Sequence, residues 1–187
     1  GSMLITLDFE TYFDVRCQLG KMTTMEYIND PDFKVHGVGL KFEDDPAEWY
    51  PEDEIEDLFS SIDWDDTRLL CHNTAFDGAV LAAKYGHYPR YYLDTSAMAR
   101  GLYPGQSSSL ANVAIRLWPD DESMRKGDDL VKSKGLEDLP PDVEEALASY
   151  CIQDTELTYA IFKTWEMEIP SSKYDLIDIT TRMFTKP

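Results

Sequence analysis

The sequence predicts one α/β domain, on three observations. Strand-like apolar runs come first, strands and helices then alternate, and a long helix with no internal Gly or Pro dominates the end. A length of 187 residues matches about one domain, and 43% apolar content suffices for one sizeable core.

Gly1-Ser2 reads as an expression remnant, which leaves residues 3–170 as the domain. Leu4 to Glu10 is the first strand, and VHGVGLKFE (35–43) is a second with alternating character. Asp44-Asp45-Pro46 turns the chain toward a short third piece at AEWY (47–50). EIEDLFSSI (54–62) has helical spacing, RLLCH (68–72) is strand-like, and FDGAVLAAKYG (76–86) is an apolar helix ending at Gly86. YYLDTSAMARGLYPG (91–105) holds a short strand, a helix capped near Asp94 and a Pro-Gly stop. SLANVAIRLW (109–118) is a helix with a serine cap. Pro140-Pro141-Asp142 starts the long helix, 142–169, which Pro170 ends. Ser171-Ser172 caps a further helix at 174–184, and residues 171–187 read as the start of a connection to a following domain.

Composition narrows the function classes. No apolar run approaches the ~18 residues of a membrane span, and the first residues lack a signal-peptide pattern, so a soluble, intracellular protein is expected. Cys17, Cys71 and Cys151 are odd in number, far apart and never in a C-x-x-C pair. They suggest neither a disulfide framework nor zinc, and read as small buried hydrophobes. Seventeen Lys plus Arg against thirty-six Asp plus Glu give a formal charge of −19, which argues against electrostatic grip on a phosphate backbone. The acidic stretches 43–57 and 120–123 read as solvated faces. In MRKGDDLVKSKG (124–135), Arg125, Lys126, Lys132 and Lys134 stand against Asp128 and Asp129, which suits a phosphate guide and a solvated loop equally.

Three carboxylate motifs carry the candidate chemistry. Residues two apart on a strand share a face, so Asp8 and Glu10 in LITLDFETYFD converge while Phe9 turns the other way into the core. At the end of an apolar strand such carboxylates repel unless a cation is present, although two acids in an exposed turn would give the same D-x-E pattern. In CHNTAFDGAVL (71–81), Asp77 also suits a helix N-terminus and His72 a polar strand end. In YCIQD (150–154), Tyr150 and Asp154 lie four apart on one face of the long helix, with Ala146, Leu147 and Ile152 pointing to a core-packed helix. Each pattern alone is weak.

Taken in order, DFE, HNTAFD and YCIQD resemble the DEDD, or DnaQ-like, exonuclease superfamily over roughly residues 4 to 165. Tyr150 marks the DEDDy branch, because the histidine branch would need His where this chain has Ser149. DFETYFD, LDTSAMARGLYPG and YDLIDITTRMFTKP are similar to the proofreading domain of bacteriophage family A DNA polymerases. The resemblance implies a ribonuclease H-like mixed five-stranded sheet flanked by helices. It also implies two divalent cations, Mg²⁺ or Mn²⁺, held by Asp8, Glu10, Asp77 and Asp154 with Asp8 shared between them. Tyr150 and Glu10 would orient a water for in-line attack, with the second ion stabilising the departing 3′ oxygen. Four carboxylates and two such ions balance, so the acid would be ligand rather than repellent. Thr11, Asn73, Phe76, Arg125 and Lys126 are the implied substrate-side residues. A single-stranded DNA 3′ end is the implied partner, with a C-terminal polymerase domain in a longer, cytoplasmic protein, the domain itself being monomeric. Three rivals stand: an exoribonuclease of the same branch, a polymerase-attached module with a decayed site, and a generic acidic interaction domain. Intact Asp8, Glu10, Asp77, Tyr150 and Asp154 argue against decay.

Overall fold

The computed structural model describes residues 2–127 and 132–185. Its strands are β1 (Met3–Thr11), β2 (Val35–Phe42), β3 (Glu48–Pro51), β4 (Thr67–Cys71) and β5 (Tyr91–Asp94). They form one sheet in the order β3-β2-β1-β4-β5. β2 runs antiparallel to β1 and β3, whereas β1, β4 and β5 are parallel. This is the mixed five-stranded sheet that the resemblance implies.

Strand periodicity decides which side chains face which layer. Ile5, Leu7 and Phe9 of β1 join Leu69, Cys71 and Tyr92 in one core, covered by α1 (Thr24–Asn29), α2 (Glu52–Ser60) and α3 (Thr74–Val80). Leu4, Leu70 and Leu93 face the other core, under α4 (Thr95–Leu102), α5 (Leu110–Leu117) and α6 (Pro141–Trp165). Asp8 and Glu10 share the parity of Leu4 and therefore look toward α6. α6 can approach closely because β2 carries Gly39: a Cβ there would stand 2.7 Å from Cys151 Sγ and 2.5 Å from Thr155 Oγ1.

Four elements depart from the sequence reading. α1 was not expected, yet Thr23 and Glu26 form a reciprocal capping box at its start. The helix at 76–86 begins at Thr74 and changes at Leu81 to a π-helical turn over Leu81–Tyr85. α6 stops at Trp165 rather than 169, because a helix running into Pro170 would drive that ring against the carbonyl four residues back, on Glu166. The final helix, α7 (Ser171–Thr185), starts at Ser171 and packs on α3 and β5. Tyr92 N donates to Asp178 Oδ1 at 2.8 Å, Tyr91 Oη to Asp175 Oδ1 at 2.6 Å, and Arg182 Nη2 to the Arg90 carbonyl at 2.8 Å. Residues 171–185 are thus packed against the same sheet. Among the described residues no helix is long and apolar enough to cross a membrane.

Candidate active site

The site lies at the carboxyl ends of the parallel strands, where α/β sheets place their ligands. β1 outruns β4: its parallel pairing covers Met3–Thr6 only, so the edge beyond has amides without strand partners. Asp77 fills that gap. Its Oδ1 accepts the Phe9 N–H at 3.0 Å, which fixes an α3 carboxylate on the β1 backbone next to Asp8. The register with β2 shifts between Glu10 and Thr11, and such an irregularity re-aims side chains at a strand end. α3 starts from Asn73 in the left-handed conformation (φ 72°), whose N–H donates to Asp94 Oδ1 at 2.8 Å.

α6 supplies the opposite wall. Tyr150 and Asp154 lie one turn apart, and Cys151 sits beneath Asp8, its thiol donating to the Asp8 carbonyl at 3.3 Å. Ligand atoms of Asp8, Glu10 and Cys151 lie within 4.8 Å of one another. Asp77 and Asp154 flank this group, each acting electrostatically on Asp8 or feeling its charge. Lys126 enters from the loop before α6: its Nζ is 2.9 Å from Asp154 Oδ2, donates to Tyr150 Oη, and stands 4.1 Å from the Tyr150 ring centroid. Gly127 permits this approach, since a Cβ there would meet Tyr150 Cδ2 at 2.6 Å, and its N–H reaches Asp154 Oδ1 at 3.3 Å.

Burial and crowding set the electrostatics. Burial, then the charge of Asp154, pushes the Asp8 carboxyl up to about 6, while Glu10, Cys151 and Lys126 pull the other way. Glu10 rises through burial and then the charge of Asp8. Asp77 rises for the same two reasons. Asp154 rises through burial, opposed first by Lys126. Burial followed by the charges of Asp154, Glu10 and Asp8 raises the Tyr150 phenol, so it stays a neutral hydroxyl at neutral pH. One ammonium, seated on Asp154, thus stands against four carboxylates.

The substrate-side expectations divide. Thr11 and Phe76 line a cavity of about 310 Å³ beside Glu10, with Phe13 and Tyr27. Thr11 Oγ1 lies 2.7 Å from Tyr27 Oη, and the Phe76 ring stacks on Tyr27 with centroids 6.1 Å apart. Asn73 stands on the strand end next to Asp77's helix but in a neighbouring groove with Asp94 and Arg100. Arg125 requires correction: its guanidinium closes the preceding turn, donating to the carbonyls of Trp118 (2.7 Å), Asp121 (2.8 Å) and Pro119 (2.9 Å). Those acceptors leave it as a loop staple rather than a phosphate guide. Asp128 and Asp129 lie outside the described residues. His72 is structural: Nε2 donates to the Ser108 carbonyl and Nδ1 meets Thr95 Oγ1, both at 2.8 Å. The sequence reading missed the thiol of Cys151 at the carboxylates; its place next to Tyr150 in YCIQD was the available signal.

The chain matches the family described as 3′–5′ exonuclease over residues 26–170, a span holding Asp77, Tyr150 and Asp154. A search of curated proteins found no match. Among solved structures, *Brucella melitensis* NrnC with bound Mg²⁺ superposes with a TM-score of 0.60 at 15% identity, over 97% of this chain and 81% of that one. *Escherichia coli* RNase D, an exoribonuclease involved in structured RNA processing, gives 0.60 at 13% identity over 98% of this chain and 45% of that one. The family B DNA polymerase of *Pyrobaculum calidifontis* gives 0.63 at 16% identity over 88% of this chain and 24% of that one. At these identities the superpositions speak for the fold, the ribonuclease H-like sheet with its flanking helices. The sequence match extends over most of the chain, and with it this protein belongs to the 3′–5′ exonuclease family, as a DnaQ-like member of the DEDDy type.

Proposed function

We propose that the chain is a metal-dependent 3′–5′ exonuclease that releases nucleoside 5′-monophosphates from single-stranded or frayed DNA, as the proofreading domain of a bacteriophage family A DNA polymerase would. The observation that carries the reading is the excess of buried acid at the end of β1. Asp8, Glu10, Asp77 and Asp154 present hard oxygen donors whose proton affinity is raised by burial, and an ammonium of the chain's own is held among them. That donor set fits a divalent cation. These four residues would hold Mg²⁺ or Mn²⁺, two ions by the family resemblance. When bound, the ions supply the positive charge and Lewis acidity that an anionic phosphodiester needs for attack by water.

The chain's residues supply the rest. Tyr150 keeps its proton and offers a hydroxyl to orient a water, with Glu10 as the facing acceptor. Phe76, backed by the buried Tyr27 ring, lines the cavity beside Glu10 and offers the terminal base an apolar contact that any base can use, so little base preference follows. A charge of −19 implies few phosphate contacts and a shallow salt dependence. Paired ends must first unstack, a cost of a few kcal/mol that a mismatch lowers, so selectivity for mismatched ends follows from fraying. The similarity of DFETYFD and LDTSAMARGLYPG to phage polymerase segments supports the proofreading setting, a following polymerase domain, a monomeric exonuclease unit and a cytoplasmic site of action. RNA 3′ ends form the second reading, favoured by the likeness to RNase D.

The test incubates end-labelled single-stranded DNA and RNA of one sequence with Mg²⁺, Mn²⁺ or EDTA. Stepwise shortening of DNA from the 3′ end, abolished by EDTA, is expected. Faster digestion of RNA than DNA would move the reading to an exoribonuclease, and no digestion of either with any metal would overturn it.

A further inference from the structure

Resting on the metal reading above, we infer that Lys126 is the built-in counter-ion of the carboxylate site and exchanges place with the divalent ion. Its ammonium lies 2.9 Å from Asp154 Oδ2 and on Tyr150 Oη, and its charge lowers the proton affinity of Asp8, Glu10 and Asp154 alike. A metal ion needs the lone pairs that this ammonium occupies, and two cations drawn to one oxygen repel one another. Binding of either therefore weakens the other.

The surroundings allow the exchange without unfolding the loop. Gln153 Nε2 holds the carbonyls of Ser123 (2.8 Å) and Arg125 (2.9 Å), and Arg125 itself closes the turn before it. The backbone up to Lys126 is thus anchored to α6, while the Lys126 side chain keeps 30% of its surface in solvent against 6% for Asp154. Rotation of the flexible four-carbon stem is enough to withdraw the ammonium. In the absence of metal, Lys126 offsets part of the mutual repulsion of the buried acids. With metal, it is free to turn outward.

The test reads metal binding and stability rather than turnover. Mn²⁺ is titrated by calorimetry into wild type, Lys126→Met and Lys126→Arg, and each is melted in EDTA and in Mn²⁺. Because coupling is reciprocal, Lys126→Met is expected to bind Mn²⁺ about 5- to 150-fold more tightly than wild type. It should also melt lower in EDTA and gain more from metal, with Lys126→Arg close to wild type. Should Lys126→Met fail to fold, ¹⁵N NMR of lysine ammonium groups in the wild type carries the test. Adding Mg²⁺ should shift the Lys126 signal and leave in place that of Lys41, a β2 lysine paired with Glu156 at 2.6 Å. Clear binding with equal affinity in wild type and Lys126→Met, or an unmoved Lys126 signal, would overturn the exchange while leaving the metal site intact. Absence of binding in all three proteins would overturn the metal site and the exchange with it.

Discussion

Two lysines meet α6 two residues apart, at Asp154 and at Glu156, under different charge balances. Lys41, on β2, is buried. Its Nζ is 2.6 Å from Glu156 Oε1, donates to the Asp45 carbonyl at 2.8 Å and lies 4.6 Å from the Tyr159 ring centroid. One cation faces one acid there, with a carbonyl and a ring completing its shell. Lys126 faces Asp154 with Asp8, Glu10 and Asp77 behind it, so most of the negative charge goes unmatched. A matched pair is a structural prop, whereas an unmatched cluster is costly to fold and is kept where a further cation is to be received.

The largest expected effect separates the two regions by rate. Asp8→Ala and Asp154→Ala should each lower nuclease activity by at least about 100-fold, the scale of removing a group that positions or stabilises charge in the transition state. Glu156→Gln should leave it within about threefold, the surface-like range. Circular dichroism should show all three folded, and without metal the two alanine variants should melt no lower than wild type, since each relieves repulsion. Retention of more than a few per cent of the rate by both alanine variants would erase the distinction.

Tyr150→Phe comes next. In the proposed mechanism the phenol orients water and ligates nothing, so a loss of roughly 10- to 1,000-fold in rate is expected with Mn²⁺ affinity nearly unchanged. Calorimetry reporting lost metal affinity would make Tyr150 a prop, like Lys41.

Stability is where the matched pair should show itself. Glu156→Ala leaves Lys41 buried with a carbonyl and a ring only, and should lower unfolding free energy by about 1–3 kcal/mol in denaturant melts. The pair's open side, with Glu156 39% exposed, keeps the cost at that modest level. A loss of activity larger than the loss of folded protein would place Glu156 in the site.

What the sequence disclosed follows the range of the signal. Strand parity put Asp8 and Glu10 on one face and Phe9 on the other, and helix spacing put Tyr150 over Asp154, because both patterns repeat within a few residues. The caps at Asp94 and Ser109 are equally local. The Thr23–Glu26 box of α1 was just as local and was overlooked. The resemblance implied Lys126 on the substrate side, but neither its ion pair with Asp154 nor the place of Cys151 beneath Asp8 was read from the sequence. Their places depend on α6 crossing β2 at Gly39 and on a loop fixed by Gln153, contacts made far apart in the chain. Asp77's bond to Phe9 likewise needs the strand order, which leaves β4 short of β1.

The smallest expected effect uses pH to set the site against the sheet beneath it. Asp8 titrates at about 6 in the folded chain against an ordinary 3.8, so its contribution to stability is present below about 4 and is lost as pH rises through 6. His36, on β2, behaves oppositely. Burial, then Lys34, lowers it from 6.5 to about 4, so its contribution is present above 6.5 and is lost as pH falls toward 4. In EDTA the two slopes oppose each other between pH 4 and 6, and because Glu10, Asp77 and Asp154 are raised alongside Asp8, the wild-type curve there should lean toward greater stability at the acid end. His36→Leu removes the second slope. That variant should gain stability, by an amount on the order of 1–2 kcal/mol, as pH falls from 6.5 to 4. Saturating Mg²⁺ should reverse the gain, since the ions favour ionised carboxylates and are released on acidification. Urea melts of both proteins at four pH values, with and without Mg²⁺, measure this. A His36→Leu curve that falls with acid in EDTA would show that the carboxylates of the site are not held above their ordinary range, and the contrast with the Lys41 pair would lose its electrostatic basis.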